Sequence, residues 1–157
     1  MGPFDHGGDI YTNPNVSMDF SVNTNPLGMP DEVTDALITR VCEFERYPDT
    51  KCAELISKIS RHENIPVAQI LCGNGAADLI YRLCTATLPK TALLCAPTFS
   101  EYERALRSVG CEISYHELKE EDGFDVTDDI TKKFNAGLDI LFLCNPNNPT
   151  GRLIDGD

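Results

Sequence analysis

The sequence predicts an α/β domain built around a largely parallel sheet. From residue 69 onward, short apolar runs alternate with amphipathic helical patterns, and two of these runs end in Gly-rich or Asn-rich turns. Such alternation is typical of units in which parallel strands are covered by helices and buried on both faces. Apolar residues make up 41% of the chain and charged residues 24%, which fits a globular protein.

The first part of the chain predicts an arm followed by two helices. Residues 1–30 are rich in Gly, Pro and Asn, which favours an extended N-terminal arm. After Pro30, apolar residues recur at helical spacing as far as Glu45, and again over residues 50–62. We therefore expect two parts, an arm at 1–30 and an incomplete domain at 31–157.

The alternating part of the chain begins after Pro66. Its elements are predicted as strand 69–72, helix 76–87, strand 91–95, helix 99–109, strand 111–115, helix 126–134 and strand 139–144. The sequence ends soon after the last strand, and a parallel sheet that stopped there would have an open edge. We therefore expect the chain to be the front part of a longer protein.

Charge and cysteine content exclude several classes of protein. The formal net charge of −12 disfavours binding to nucleic acid or to an anionic membrane surface. Seven cysteines without a C-x-x-C pair predict free structural thiols, with neither a disulfide framework nor a metal site. There is no signal-peptide pattern and no apolar run of membrane-spanning length, so we expect a cytoplasmic protein.

The first motif is Gly-Asn-Gly-Ala-Ala-Asp at residues 73–78, between a predicted strand and a predicted helix. Two glycines allow a sharp turn, and the free amides of a helix N-terminus attract phosphate. The string matches neither the Walker A loop nor the dinucleotide-binding G-x-G-x-x-G. Taken alone, it is equally consistent with a plain strand–helix turn.

The second motif is Asn-Pro-Asn-Asn-Pro-Thr-Gly at residues 145–151, directly after an apolar strand. Ligands bind at the carboxyl ends of parallel strands, and Asn148 lies next to a rigid proline with an amide able to bond a ligand oxygen. The alternative is a turn made of favourable turn residues. The full seven-residue string favours the ligand site.

Together these strings resemble the fold-type I pyridoxal-phosphate (PLP) aminotransferase family. The string Pro-Thr-Phe-Ser-Glu-Tyr at residues 97–102 fits the same family. The resemblance implies the family's fold, here the arm and the first part of the large domain, and it implies PLP as cofactor. The cofactor-binding residues that it implies are Gly75, Ala76 and Ala77 for the phosphate, Phe99 stacked on the ring, Asn148 at the 3-hydroxyl, and Tyr47 reaching the phosphate across a homodimer interface.

Within that family the chain is similar to the threonine-phosphate decarboxylases. The resemblance rests on residues 6–8, 19–28, 45–49, 101–106 and 141–144. It implies decarboxylation of O-phospho-L-threonine to aminopropanol phosphate in cobalamin synthesis. The phosphorylated substrate would be lined by His6, Gly7 and Asn23. It also implies that no catalytic residue lies in this chain, because the Schiff-base lysine follows Asp157.

Several alternatives stay open. Histidinol-phosphate aminotransferase shares the implied fold and the phosphorylated substrate, and a non-catalytic truncated product is a further reading. Single residues also have simpler roles: Phe99 in the core, Tyr47 on the surface, His6 in solvent and Asn23 in a turn.

Overall fold

The computed structural model describes residues 7–12 and 15–154, which fall into two compact units. The first unit extends to Leu71 and the second begins at Cys72. The division into an arm at 1–30 and a domain from residue 31 stays a prediction.

The first unit is helical where it is regular. Its elements are α1 (Asp31–Thr39), a 3₁₀ helix at Val41–Glu45, α2 (Ala53–Glu63) and a 3₁₀ helix at Val67–Gln69. Asp49 stabilises the start of α2, because its carboxylate accepts hydrogen bonds from the amides of Lys51 and Ala53 at 2.9 and 2.7 Å. None of the described residues of this unit is buried.

The helix expected between Pro30 and Glu45 is interrupted. α1 ends at Thr39, and Arg40 leaves helical geometry with φ −106° and ψ 12°. The Thr39 hydroxyl donates to the Asp35 carbonyl at 2.7 Å. Such side-chain bonds and β-branched residues weaken a helix, so the chain continues as a 3₁₀ turn.

The second unit contains a three-stranded parallel sheet, which confirms the expected α/β class. The strands are β1 (Thr91–Ala96), β2 (Glu112–Glu117) and β3 (Ile140–Phe142), in the order β2-β1-β3. In the register, Leu93 lies opposite Ser114 on one side and Leu141 on the other. β1 is the central strand, and its residues 92–95 are all buried.

The two faces of β1 belong to two apolar clusters, as the alternation of side chains along a strand requires. Ala92 and Leu94 pack with α3 (Gly75–Thr87) and α4 (Ser100–Ser108). Leu93 and Cys95 pack on the opposite face. The sheet thus has helices on one face and the irregular segment around Ile130 on the other.

Three expected elements differ from the structure. Residues 69–72 form no strand: Val67–Gln69 is a 3₁₀ helix, and the extended residue Ile70 has no strand partner among the described residues. The helix expected at 126–134 is a 3₁₀ helix at Asp128–Lys133, in a segment rich in β-branched residues. The strand expected at 139–144 is limited to the three residues that pair with β1.

Candidate functional site

Three parts of the second unit meet at one edge of its sheet. Since β1 and β3 are parallel neighbours, the loops that follow them leave from the same carboxyl edge. The first loop leads to Phe99 and the second contains Asn148. α3 joins β1 through residues 88–90 and packs on the sheet, so it runs opposite to β1 and its first turn lies at this edge too.

The N-terminus of α3 offers free amides. Gly75 has φ +82°, and a Cβ at this position would meet no atom within 4 Å. Because the first N–H groups of a helix lack intrahelical partners, the amides of Gly75, Ala76 and Ala77 are available to a ligand. The helix dipole adds partial positive charge at the same place. This end of α3 can therefore bind an anion.

Asp78 places a negative charge in the first turn of α3, next to the partial positive charge of the helix dipole. Its carboxylate accepts hydrogen bonds from the Asn74 amide and from Arg82 Nε, both at 2.9 Å. The Asn74 amide, and to a lesser extent the Arg82 guanidinium, hold the pKa of Asp78 below its usual value. As expected for a helix-end charge, Asp78 caps the turn, and it leaves the amides that follow Asn74 unoccupied.

Phe99 directly precedes α4 as its N-cap residue and belongs to a chain of three aromatic rings. It is half-buried, and its ring meets Tyr102 edge to face, with centroids 5.7 Å apart and planes at 88°. Tyr102 in turn stacks on Phe142 at the end of β3, with centroids 4.7 Å apart. The orientation of the Phe99 ring is therefore fixed by contacts that extend to the neighbouring strand.

Tyr102 is a neutral phenol over the physiological range. Burial raises its pKa to about 12, and a hydrogen bond with the Cys144 sulfur adds to the shift. The Cys144 thiol donates onward to the Pro146 carbonyl at 3.4 Å. Tyr102 is thus suited to holding rings and loops in position and unsuited to proton transfer near neutral pH.

The loop after β3 is closed at its base by side-chain and main-chain hydrogen bonds. Asn145 Oδ1 accepts from the Ile154 amide at 2.8 Å, and Asn145 Nδ2 donates to the Ile154 carbonyl at 3.3 Å. Within the loop, the Gly151 amide donates to the Asn147 carbonyl at 2.7 Å. These hydrogen bonds hold the loop in a defined shape.

The two central asparagines of this loop differ in their surroundings. Asn148 is half-buried, and its side chain makes no hydrogen bond within residues 7–12 and 15–154. Asn147 is only 6% exposed, and its amide bonds Pro97, Thr98 and Thr150. Asn148 is thus free to meet a ligand, whereas Asn147 is part of the scaffold. The sequence analysis did not identify Asn147, since nothing in the string distinguishes two adjacent asparagines.

The remaining expected site residues lie in the first unit. Tyr47 is 89% exposed in the turn before α2. Gly7 is half-buried, and a Cβ there would overlap the Ser21 carbonyl, so only glycine fits. Asn23 is exposed and outside regular structure. His6 lies outside the described residues.

A family model describes most of the chain. The model for aminotransferase class I and II matches residues 15–157. The chain belongs to this family. Proteins of the aminotransferase class I and II family depend on pyridoxal phosphate. The matched range includes the second unit and the first unit from residue 15 onward, and therefore Tyr47, Asn23 and all candidate residues at the carboxyl edge, but not His6 or Gly7.

Two curated relatives are a threonine-phosphate decarboxylase and a protein of adenosylcobalamin biosynthesis. The chain is 43% identical over 155 residues to threonine-phosphate decarboxylase of Salmonella typhimurium, an alignment covering 94% of this chain and 43% of that protein. It is 33% identical over 162 residues to the adenosylcobalamin biosynthesis bifunctional protein CobDQ of Leptospira interrogans, covering 96% of this chain and 19% of that protein. The chain thus spans less than half the length of these relatives.

Solved structures of enzymes with two different activities are similar in fold to this chain. L-threonine-O-3-phosphate decarboxylase from Porphyromonas gingivalis superposes with a TM-score of 0.69 at 27% identity, covering 79% of this chain and 36% of that one. Histidinol-phosphate aminotransferase from Clostridium acetobutylicum gives 0.75 at 28% identity, covering 87% and 40%. The fold therefore does not separate the two activities.

Three further observations concern the described residues. Across residues 7–12 and 15–154, none of the helices is long and apolar enough to cross a membrane. In the same ranges, no group of three or more His, Cys, Asp or Glu residues could hold a metal ion. All seven cysteines are free thiols.

Proposed function

We propose that the protein carrying this chain is a PLP-dependent carboxy-lyase that converts O-phospho-L-threonine to aminopropanol phosphate and CO₂, a step of cobalamin synthesis. The 43% identity with threonine-phosphate decarboxylase over 94% of the chain carries the proposal. The similarity to a protein of adenosylcobalamin biosynthesis supports the pathway. Because the chain spans less than half of these relatives, the activity belongs to the complete protein.

The carboxyl edge of the second unit fits the chemical groups of the cofactor. In the proposed site, the amides of Gly75, Ala76 and Ala77 bind the phosphate, since open space lies in front of Gly75. Phe99 supports one face of the ring. The side chain of Asn148, which makes no other hydrogen bond in the described ranges, bonds the 3-hydroxyl. An anion site, an aromatic face and a free amide match three parts of one molecule.

The bound cofactor supplies a ring that accepts the electron pair released when a bond at the substrate α-carbon breaks. The residues of this chain prepare that chemistry by position. Phe99 fixes the plane of the ring, and Asn148 and the α3 amides fix its rotation within that plane. Once the plane is fixed, the rotation of the substrate about the bond between its α-carbon and its nitrogen decides which substituent stands perpendicular to the ring and is released. Decarboxylation requires that this substituent be the carboxylate.

The first unit has a proposed part in substrate binding and assembly. We assign His6, Gly7 and Asn23 to the pocket for the phosphorylated substrate, and Tyr47 to the cofactor phosphate of the other subunit in a homodimer. The resemblance of residues 6–8 and 19–28 to the decarboxylases supports this assignment. A cytoplasmic location is part of the same proposal.

Histidinol-phosphate aminotransferase is the second candidate. The solved aminotransferase structure with a TM-score of 0.75 supports it. The two candidates differ in the bond broken and in the second substrate, since only the aminotransferase needs a 2-oxo acid.

The test is a pair of assays on the complete protein loaded with PLP. One measures CO₂ released from O-phospho-L-threonine without a 2-oxo acid. The other measures turnover of histidinol phosphate with 2-oxoglutarate. We expect CO₂ release in the first and background rates in the second. Transamination without CO₂ release would refute the proposal in favour of the second candidate.

A further inference from the structure

Asn147 connects the two loops that carry the proposed ring contact and the proposed amide contact. Its Nδ2 donates to the Pro97 carbonyl at 3.1 Å and to Thr150 Oγ1 at 2.8 Å. Its Oδ1 accepts from Thr98 Oγ1 at 2.9 Å. Two of these three bonds reach the loop after β1, and one stays within the loop after β3. The side chain is therefore a cross-link between the loops.

The sequence neighbours of Asn147 and of its partners show which residues this cross-link positions. Asn147 directly precedes Asn148, and its partners Pro97 and Thr98 directly precede Phe99. The hydrogen bonds thus join the backbone next to one proposed cofactor contact with the backbone next to the other. The spacing between Phe99 and Asn148 depends on the Asn147 amide.

Burial makes the cross-link selective for asparagine. Asn147 is 6% exposed, so water cannot replace a lost partner without a rearrangement of the loops. The site uses both the donor and the acceptor of the amide, because carbonyl and hydroxyl oxygens surround Nδ2 and a hydroxyl donor faces Oδ1. An aspartate of the same shape would keep the acceptor and lose the donor.

We propose that Asn147 is a positioning residue that sets the distance between Phe99 and Asn148, and with it the orientation of PLP in the site. The proposal rests on the proposed function for the presence of PLP, and it does not depend on which substrate is used. Asn147 itself touches no cofactor atom; it acts through its two neighbours.

The experiment compares matched variants of the complete protein. Asn147→Asp removes the Nδ2 donor, and Thr98→Val removes the hydroxyl that donates to Oδ1. Thr98→Ser keeps that hydroxyl and serves as the rescue variant. Asn135→Asp is the control for the chemical change. Asn135 is exposed, its Oδ1 accepts from the Gly137 amide at 2.9 Å, and its Nδ2 donates to the Lys133 carbonyl at 3.4 Å, so the variant makes the same loss of a donor away from the site.

Three quantities are measured: the dissociation constant of PLP from the apoprotein, the visible circular dichroism per bound PLP, and the thermal midpoint of the apoprotein. We expect Asn147→Asp, which loses the two hydrogen bonds donated by Nδ2, to raise the dissociation constant by about tenfold, and Thr98→Val, which loses one hydrogen bond, to raise it by a few-fold. Both should change the visible dichroism. Thr98→Ser and Asn135→Asp should match the wild type.

A merely structural role gives a different result. It lowers the thermal midpoint but leaves the dichroism per bound PLP unchanged in molecules that are still folded. The proposal is overturned if Asn147→Asp gives that result. If Asn147→Asp does not fold, the same result for Thr98→Val overturns the proposal. A wild-type protein that binds PLP without releasing CO₂ refutes the proposed substrate only, and the dichroism then decides the role of Asn147. A wild-type protein without any PLP band refutes both proposals.

Discussion

Tyr102 on α4 stacks on Phe142 of β3, with ring planes only 9° apart. The contact joins the helix that follows Phe99 to the strand that leads into the Asn148 loop. The Asn147 amide joins the same two segments through hydrogen bonds. The aromatic contact and the hydrogen bonds together hold the carboxyl edge of the sheet in a defined geometry.

Removing the Tyr102 ring should cost more stability than removing its hydroxyl. Tyr102→Leu removes the stacking partner of Phe142, and we expect a loss of about 1–3 kcal/mol in the free energy of unfolding. Tyr102→Phe keeps both ring contacts and should stay within about 1 kcal/mol of the wild type. Urea unfolding of the two variants measures the difference. Equal losses would mean that the stack contributes nothing.

The raised pKa of Tyr102 predicts a loss of stability at alkaline pH. The phenol has a pKa of about 12 in the folded state against a reference value of 10.0. Between these values the unfolded chain binds fewer protons than the folded one, so stability is complete below pH 10 and declines as the pH rises toward 12. The tyrosinate ultraviolet absorbance should contain a component near pH 12 that Tyr102→Phe lacks. An identical titration of both proteins would contradict this assignment.

Two glycines allow the proposed phosphate site to be tested with a matched control. Gly75 and Gly110 both have positive φ, +82° and +72°, and neither has an atom within 4 Å of an added Cβ. Alanine at either position should cost about 1–2 kcal/mol of stability, because L-residues disfavour this conformation. Gly110 joins α4 to β2 at the opposite edge of the sheet.

Only Gly75→Ala should therefore weaken PLP binding, since its methyl group enters the space proposed for the phosphate. Titration of each apoprotein with PLP measures the effect. A similar dissociation constant for Gly75→Ala and Gly110→Ala would place the phosphate elsewhere.

The charge of Asp78 should oppose an anion bound at α3. Asp78→Asn keeps an acceptor for the Asn74 amide but removes the negative charge. We expect PLP to bind about two- to fivefold more tightly at low ionic strength, with a smaller gain at high salt, as Coulomb interactions near a surface require. Asp139→Asn is the control, because Asp139 likewise accepts amide hydrogen bonds, from Lys90 and Thr91, at the opposite edge. An equal gain in both variants would argue against a phosphate next to Asp78.

The sequence predicted the elements that are stabilised by local pattern and burial. β1 was recognised because residues 91–95 form a short apolar run, and α3 because a helical pattern over residues 76–87 follows the Gly-Asn-Gly turn. The expected strand at 69–72 was wrong for a physical reason. A β-strand needs a neighbouring strand to pair with, and the apolar composition of residues 69–72 does not show whether such a strand is present.

The sequence singled out part of the candidate site. Gly75 and Asn148 were chosen because their strings join a strand end to a turn, and Phe99 was chosen through the family resemblance; their contacts with a cofactor stay predictions. The sequence did not single out Asn147 or Tyr102, since burial of one of two adjacent asparagines and stacking across α4 and β3 are tertiary properties. Both residues act through partners on another segment of the chain, and their own short strings contain no sign of those contacts.

The most direct test of the proposed function follows two atoms of one substrate. O-phospho-L-threonine labelled at the carboxyl carbon and at the amino nitrogen is given to the complete PLP-loaded protein, with 2-oxoglutarate present. The account predicts that the carboxyl label leaves as CO₂ and that the nitrogen label stays in aminopropanol phosphate. Transfer of the nitrogen label to glutamate, with the carboxyl label retained in a phosphorylated oxo acid, would contradict it.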